Sequence, residues 1–364
     1  MRIAFLGPSY PWRGGIAQFA QNFAEKLANN HEIMMFTFIN QYPAIIFPGS
    51  YQFEKSAINF NLPTHRILTP YNPLTWFSAI HDINGWNPDI LVVSYWLPVF
   101  APAYGFILRH IKNCKIVFLI HNLDFHEKWL LADKLSKYAL KPAHYFLTLS
   151  NISTDKLKLL KSDRDSHILQ LFHPVYEFIN THTEAVKYSK RILFFGFIKH
   201  YKGLDILLEA MPVVIKEIPQ IKLVIAGEIY GDKSIYIDLI SKLGLENNVE
   251  SHFSYISDEQ IEEYFSECDV CVLPYRSATQ SGVSQMSFAY EVPVIATKVG
   301  GIEETVKDKF NGLLVEPNDP KALADKIIQY YKSDFADQLR ANIRAQNEEY
   351  SWDTFTRRFL EIIN

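Results

Sequence analysis

The chain has 364 residues, more than one hydrophobic core normally supports, so we expect two domains of ordinary size. A hydrophobic fraction of 48% and a charged fraction of 21% exclude a disordered or collagen-like polypeptide. The formal net charge of -4 gives no basic field to neutralise phosphates, which argues against a nucleic-acid-binding protein.

Short apolar runs alternate with helical segments through the first half of the chain. Near-continuous apolar strands separated by helices predict a parallel sheet covered on both faces. One stripe of the first helical segment is apolar, and we expect it to pack on that sheet. The stripe consists of Ile16, Phe19, Phe23 and Leu27. The predicted strands span residues 3–6, 33–38, 90–95, 116–121 and 145–150.

This pattern breaks after residue 172, where a polar stretch leads to a new strand at Ile192. We therefore predict a first domain over residues 1–175, a linker over 176–189 and a second domain over 190–349. The second domain repeats the alternation, so two doubly wound α/β units in tandem are expected, with ligands bound beyond the carboxyl ends of their strands. Its predicted strands span residues 192–195, 222–226, 270–273, 294–296 and 313–315.

The loop after the first strand ends in the glycine pair Gly14-Gly15, directly before a helix. Such a loop lets backbone N–H groups approach an anionic ligand, although a plain tight turn explains the pair equally well. It is not the G-x-G-x-x-G fingerprint, and residues 37–40 lack the acidic residue that a dinucleotide site needs. A dehydrogenase is therefore disfavoured.

Glycine-bearing loops recur in the second domain. Gly196 is followed by Lys199 and Lys202 before a helix, and two cations there suit a diphosphate, unless both are merely solvated loop charges. A second loop offers N–H groups and polar side chains that could hold a diphosphate and a sugar. It contains Thr279, Gln280, Ser281, Gly282 and Val283 and leads into a helix predicted over 284–290. A third loop carries Gly300-Gly301, and we expect the three to face one cleft.

Together these segments resemble the family-4 retaining glycosyltransferases of the GT-B fold, over essentially the whole chain. The resemblance is carried by Gly14-Gly15, His121 and Ser150 at strand ends, Gly196 with Lys202-Gly203, Gly227-Glu228, residues 293–297 with Gly300-Gly301, and residues 311–315. It implies two Rossmann-like doubly wound parallel-sheet domains facing across a cleft. The helix over 352–363 would return to the first, acceptor-binding domain, extending it by residues 350–364, while 190–349 would bind the donor.

The resemblance also implies a nucleotide-diphosphate-sugar donor and no metal or other cofactor. His121 would lie beside the transferred sugar, although a lone histidine is more often simply hydrogen-bonded, and Lys202 would neutralise the leaving diphosphate. Tyr255 and Ile256 would border the base. The full donor-binding set is Gly14, Gly15, Gly196, Phe197, Lys199, Lys202, Glu228, Tyr255, Ile256, Thr279, Gln280, Ser281, Gly282 and Val283. The acceptor-binding residues stay unassigned.

Two departures affect residues that this family uses. Phe197 stands where many members have an arginine, and Lys199 could supply the missing charge. Ala278 and Met286 stand where the family carries two glutamates. These departures keep open a non-catalytic nucleotide-sugar-binding protein or partner subunit, and a nucleotide-sugar epimerase, beside a transferase that builds polysaccharide, glycolipid or lipid-linked oligosaccharide of bacterial type.

A cytoplasmic location is expected, because three cysteines are too few for a disulfide framework and residues 1–7 do not form a signal peptide. The Cys268/Cys271 pair is interpreted as structural, since it leads into an apolar strand. Aromatic and basic residues suggest peripheral contact with an anionic inner membrane face, against the alternative of a face that packs on the core. They lie in residues 70–77 and in a helix with Lys128, Trp129, Leu130, Lys134 and Lys137.

Overall fold

The protein is described from a computed structural model. The described residues are 1–12, 14–42, 53, 61–123, 131–160, 167–176, 190–278 and 281–363, without the side chains of 258 and 259. The chain divides into two compact units. The N-terminal unit comprises Met1–Phe172 with Trp352–Asn364, and the C-terminal unit comprises His173–Ser351. Of the predicted linker, residues 177–189 lie outside the described residues.

The N-terminal unit contains a seven-stranded parallel sheet of order β3-β2-β1-β4-β5-β6-β7. Its strands are β1 Arg2–Leu6, β2 Glu32–Phe38, β3 Thr64–Leu68, β4 Ile90–Tyr95, β5 Lys115–Ile120, β6 Tyr145–Thr148 and β7 His167–Gln170. Its first five helices are α1 Gly15–Ala28, α2 Pro73–Trp86, α3 Ala101–Leu108, α4 Ala132–Leu140 and α5 Asn151–Leu160. Gly7 directly follows β1, and a Cβ on it would meet the Ser94 Cβ at 2.8 Å, so β1 and β4 approach closely beside the first loop.

The C-terminal unit contains a six-stranded parallel sheet of order β10-β9-β8-β11-β12-β13. Its strands are β8 Arg191–Phe195, β9 Lys222–Ala226, β10 Val249–His252, β11 Val270–Leu273, β12 Val294–Thr297 and β13 Gly312–Val315. Its helices are α6 Leu204–Glu217, α7 Ser234–Lys242, α8 Asp258–Ser266, α9 Gly282–Ala289, α10 Ile302–Thr305, α11 Pro320–Lys332 and α12 Phe335–Glu349.

A last helix, α13 Trp352–Ile363, follows the C-terminal unit in sequence but packs in the N-terminal unit. Its buried aromatic side chains lie on the predicted stripe of α1. The Trp352 ring lies 4.9 Å from the Phe19 ring, and the Phe359 ring lies 4.9 Å from the Phe23 ring. Three residues of the α1 stripe therefore join the sheet and α13 in one apolar core, whereas Ile16 packs against a second apolar cluster of the same unit.

The predicted α/β class with two Rossmann-like parallel-sheet domains is confirmed. All ten predicted strands are present within one or two residues of their bounds, and β3, β7 and β10 were missed. His121 and Ser150 follow their strands instead of ending them, and α9 begins two residues before the predicted start. Across the described part of the chain, no helix has the length and apolar character that a membrane span requires.

Candidate active site

The first loop of the C-terminal unit brings an ammonium group against a glycine. Gly196 follows β8 with φ of 95°, in the left-handed region that glycine tolerates. Lys202 ends a one-turn 3₁₀ helix, His200–Lys202, and its Nζ lies 3.1 Å from the point that a Cβ on Gly196 would occupy. The same point is 3.5 Å from Val283 Cγ2. Residues from two predicted loops, Gly196 and Lys202 from one and Val283 from the other, therefore meet.

Lys202 is buried in the C-terminal unit. Its side chain is 8% exposed, and no carboxylate of the described residues lies within salt-bridge distance. Burial lowers the pKa of Lys202 to about 8, Cys271 opposes this shift, and the charge of Lys199 adds to it. A buried ammonium with no anionic partner is suited to receive an anionic ligand.

The loop after β9 packs directly on the loop after β8. A Cβ on Gly227 would stand 2.0 Å from the carbonyl oxygen of Gly196, so only glycine allows this approach. The Ile198 N–H donates to the carbonyl of Glu228 at 2.8 Å, and the Tyr230 N–H donates to the carbonyl of Ile198 at 2.9 Å. These bonds place Glu228 beside the segment that begins at Gly196.

The loops after β11 and β12 are tied together. The Thr297 hydroxyl donates to the carbonyl of Tyr275 at 2.6 Å, and the Gly301 N–H donates to the carbonyl of Ala278 at 3.3 Å. Ser281 precedes the first turn of α9 and is buried, so the N-terminus of this helix belongs to the same region. Thr279 and Gln280 lie outside the described residues.

Other predicted donor residues contact aromatic or apolar side chains. The Lys199 ammonium lies 4.8 Å from the centre of the Tyr230 ring, which also contacts the Phe197 ring edge-to-face at 5.1 Å. Tyr255 and Ile256 follow β10, and Ile256 is buried in an apolar cluster of the C-terminal unit. The charge of Lys199 thus lowers the pKa of Lys202, but the two ammonium groups rest on different rings, Tyr230 for Lys199 and Tyr275 for Lys202.

In the N-terminal unit, His121 directly follows β5 and is 7% exposed. The backbone N–H of His121 donates to the carbonyl of Tyr95 at 2.9 Å. The His121 ring lies edge-to-face on Phe19 of α1, with 5.3 Å between the ring centres. Gly14, with φ of 112°, precedes α1, and no atom would obstruct a Cβ there within 4 Å. Gly15 begins α1, so His121 and the glycine pair are joined through this helix.

Sequence reasoning missed Tyr275 and the Asp205/Arg276 ion pair as parts of this region. Tyr275 lies under the Lys202 ammonium, with 5.4 Å from Nζ to the ring centre. An aromatic residue following the proline at a strand end was the only sequence signal for it. Among the residues that the structure describes, no group of three or more His, Cys, Asp or Glu side chains could hold a metal ion.

Comparison with known proteins gives a consistent assignment. Residues 177–350 match the family described as Glycosyl transferases group 1. Two uncharacterized glycosyltransferases of Methanocaldococcus jannaschii are similar in sequence. One is 24% identical, covering 96% of this chain and 93% of its own length, and the other is 26% identical, covering 100% and 97%. The Anabaena protein HepE, solved in complex with UDP-glucose, superposes with a TM-score of 0.76 at 17% identity, covering 100% of this chain and 99% of that chain. The chain therefore has the GT-B fold.

Proposed function

We propose that this chain, with its GT-B fold and its group 1 glycosyl transferase match, transfers a sugar from a nucleotide-diphosphate donor with retention of anomeric configuration and without a metal. The observation that carries the proposal is the ammonium of Lys202. It is buried at the carboxyl end of the sheet, beside Gly196 and near the start of α9, with no carboxylate partner in the described chain. A diphosphate would supply the missing negative charge.

In the proposed reaction, the bond between the anomeric carbon and the diphosphate oxygen breaks as the acceptor oxygen bonds to the same face of the sugar. The acceptor hydroxyl gives its proton to the departing diphosphate, so no separate protein base is required. Negative charge grows on the leaving oxygen in the transition state, and Lys202 with the nearby backbone N–H groups would stabilise it. His121 is proposed to lie beside the sugar that is transferred.

The donor is proposed to be a nucleoside diphosphate sugar because HepE, which shares the fold, was solved with UDP-glucose. Glu228, Tyr255 and Ile256 follow β9 and β10, on the side of the sheet where the base would lie. Phe197, Ser281 and Gly282, with Thr279 and Gln280, complete the proposed donor contacts. The acceptor would be a saccharide, a glycolipid or a lipid-linked oligosaccharide.

A nucleotide-sugar-binding protein without turnover is the second candidate. Met286 stands where the resembled family has a glutamate, and it is buried in an apolar cluster with Phe288 and Tyr290. No carboxylate therefore stands at that position for a ribose contact. The partly buried Ala278 belongs to the margin of the same cluster, so the other glutamate is also replaced by apolar surface.

Peripheral contact with an anionic membrane face is also proposed, through an apolar patch on the N-terminal unit. Leu74 and Phe77, in the first turns of α2, are 77% and 60% exposed, and Tyr71 is exposed just before them. Lys134 and Lys137 are exposed on α4, whereas Lys128, Trp129 and Leu130 lie outside the described residues. Exposed apolar side chains and exposed cations are the two kinds of group that bind an anionic lipid interface.

The function is tested by incubating the purified protein with uridine, guanosine and adenosine diphosphate sugars, with and without saccharide and glycolipid extracts. We expect acceptor-dependent release of a nucleoside diphosphate, unchanged by EDTA, and an NMR spectrum in which product and donor share their anomeric configuration. Saturable binding without release would favour the non-catalytic candidate. A new sugar nucleotide formed from the donor alone would indicate an epimerase. Absence of both binding and turnover would refute the nucleotide-sugar assignment.

A further inference from the structure

We infer that Arg276 is a positioning residue for Lys202, holding the one-turn helix His200–Lys202 in the place where its ammonium meets the donor. The inference rests on the proposed function for the identity of the ligand. It rests on this structure for the geometry, because Arg276 contacts the turn on both sides of Lys202 without contacting Lys202 itself.

Arg276 holds the segment around Lys202 through its side chain and its backbone. Its guanidinium donates to both carboxylate oxygens of Asp205, at 2.8 and 2.6 Å. Its Nη1 also donates to the carbonyl of His200 at 2.8 Å, and its backbone N–H donates to the carbonyl of Tyr201 at 2.7 Å. Two parallel charge-assisted hydrogen bonds fix orientation as well as distance. Arg276 therefore bonds residues that precede and follow Lys202 in the chain.

The backbones of the two segments also pack directly on each other. Gly203, with φ of 69°, lies between Lys202 and α6, and a Cβ there would stand 2.0 Å from the carbonyl oxygen of Pro274. Tyr275, whose ring lies under the Lys202 ammonium, is between Pro274 and Arg276 in the chain. Arg276 consequently anchors both the turn that carries the ammonium and the ring on which it rests.

The ion pair is strong enough for this role because it is partly shielded from water. The side chains of Arg276 and Asp205 are 23% and 29% exposed. Burial works against the ionised form of Asp205, yet the hydrogen bonds and charge of Arg276 lower the pKa of that carboxyl below its ordinary value. Lys202 has no ion pair of its own in the described chain, so its position depends on the turn.

The competing explanation is that the pair only stabilises the start of α6. The same helix has an ion pair at its far end, where Lys332 contacts Glu217 at 2.5 Å. Glu217→Gln therefore removes a charge contact from α6 without touching the Lys202 turn, and serves as the matched control. Arg276→Lys keeps the charge but cannot form the two-pronged contact with Asp205.

The test measures donor kinetics and the titration of Lys202 in Arg276→Ala, Arg276→Lys, Asp205→Asn and Glu217→Gln. Misplacing a catalytic group by about 1 Å can cost about 100-fold in rate, so we expect kcat/KM for the donor to fall about 10- to 100-fold in the first three variants. In these variants the Lys202 ammonium, followed by NMR of labelled lysine, should titrate closer to the ordinary lysine range. Glu217→Gln should leave both measurements at wild-type values.

A wild-type Lys202 titration in Arg276→Lys and Asp205→Asn would overturn the inference. Shifts of the Lys202 titration and of kcat/KM in Glu217→Gln that equal those of the Arg276 variants would also overturn it. Arg276→Lys and Asp205→Asn keep the test valid if Arg276→Ala fails to fold. The titration needs no turnover, so it also separates this inference from the proposed function. A wild-type protein without transferase activity refutes the function alone, whereas an unmoved Lys202 titration refutes the positioning role alone.

Discussion

The ammonium of Lys202 lies 5.4 Å from the centre of the Tyr275 ring, which is itself almost completely buried. The cation thus rests on an aromatic face instead of a carboxylate. A cation–π contact contributes about 0.5–2 kcal/mol, whereas the attraction of a buried carboxylate would neutralise the charge before a ligand arrived. This contact holds the lysine in place and leaves its charge available to an anion.

Replacing Lys202 with alanine should remove transition-state stabilisation while leaving the fold intact. Loss of one preorganised charge contact costs about 100-fold or more in kcat, and we expect a loss of that order. Steady-state kinetics with the preferred donor measures it. Lys298→Ala is the matched control, because Lys298 follows β12 in the same unit and pairs on the surface with Glu316. Equal rates for Lys202→Ala and Lys298→Ala would remove Lys202 from the mechanism.

Donor binding should weaken at alkaline pH because it requires the charged form of Lys202. The pKa of Lys202 in the free protein is about 8, and the neighbouring groups do not titrate in that range, since burial raises the pKa of Cys271 to about 12 and the pKa of Tyr275 above its usual value. We expect proton uptake on binding a nucleoside diphosphate at about pH 8, measured by calorimetry in buffers of different ionisation enthalpy. A binding enthalpy independent of the buffer would contradict this.

The burial of Lys202 should also destabilise the free protein at neutral pH. Its folded pKa of about 8 lies below the unfolded value of about 10.4, so the unfolded chain binds more protons between these values and stability rises with pH there. Lys202→Met removes the buried charge and should raise Tm near neutral pH, with a difference that shrinks towards about pH 10. Thermal unfolding at several pH values measures this. A lower Tm for Lys202→Met near neutral pH would show that burying the Lys202 charge does not destabilise the folded protein.

The central strands could be predicted from sequence because most are nearly continuously apolar, as burial on both faces requires. The missed strands β3, β7 and β10 are all edge strands with exposed residues. An edge strand is covered less completely, so its sequence need not be apolar. β13 is also at an edge, but α11 covers it, its side chains are mostly buried, and its apolar run was recognised.

The site was predictable only where its residues are neighbours in sequence. Gly196 and Lys202 lie within one strand–turn–helix connection, whose chemistry is visible in the sequence. The contacts of Lys202 with Tyr275 and of Asp205 with Arg276 depend on β8 pairing directly with β11. That strand order brings together residues about 70 positions apart, and neither periodicity nor motif spacing encodes it.

Gly203 should tolerate a side chain less well than another glycine of the same backbone conformation. Gly203 and Gly244 have φ of 69° and 65°, but a Cβ on Gly244 would meet nothing within 4 Å, whereas one on Gly203 would clash with the Pro274 carbonyl. Alanine should cost about 1–2 kcal/mol at Gly244 from the left-handed backbone alone. Crowding adds about 1–3 kcal/mol at Gly203. Chemical denaturation of both variants compares them, and equal losses would show that the Pro274 contact can relax.

The apolar patch on α2 should be required for binding to anionic vesicles. Leu74 and Phe77 lie three residues apart and are both exposed, so they share one face of the helix. The Phe77 ring contacts Phe106 of α3 at 5.5 Å, and Arg109, one turn further along, stacks over Tyr138 of α4 at 4.1 Å. Helix α3 therefore contacts both α2, which carries the patch, and α4, which carries Lys134 and Lys137.

Burying one such side chain in a bilayer contributes about 1.5–3 kcal/mol, so Leu74→Asp with Phe77→Asp should lower partitioning to anionic vesicles at least about tenfold. Leu159→Asp is the control, since Leu159 on α5 is 82% exposed and lies outside the patch. Co-sedimentation with phosphatidylglycerol vesicles, repeated with neutral vesicles and at high salt, separates the apolar from the electrostatic part. Wild-type protein that stays in the supernatant, or an equal loss in Leu159→Asp, would show that this patch does not bind a membrane.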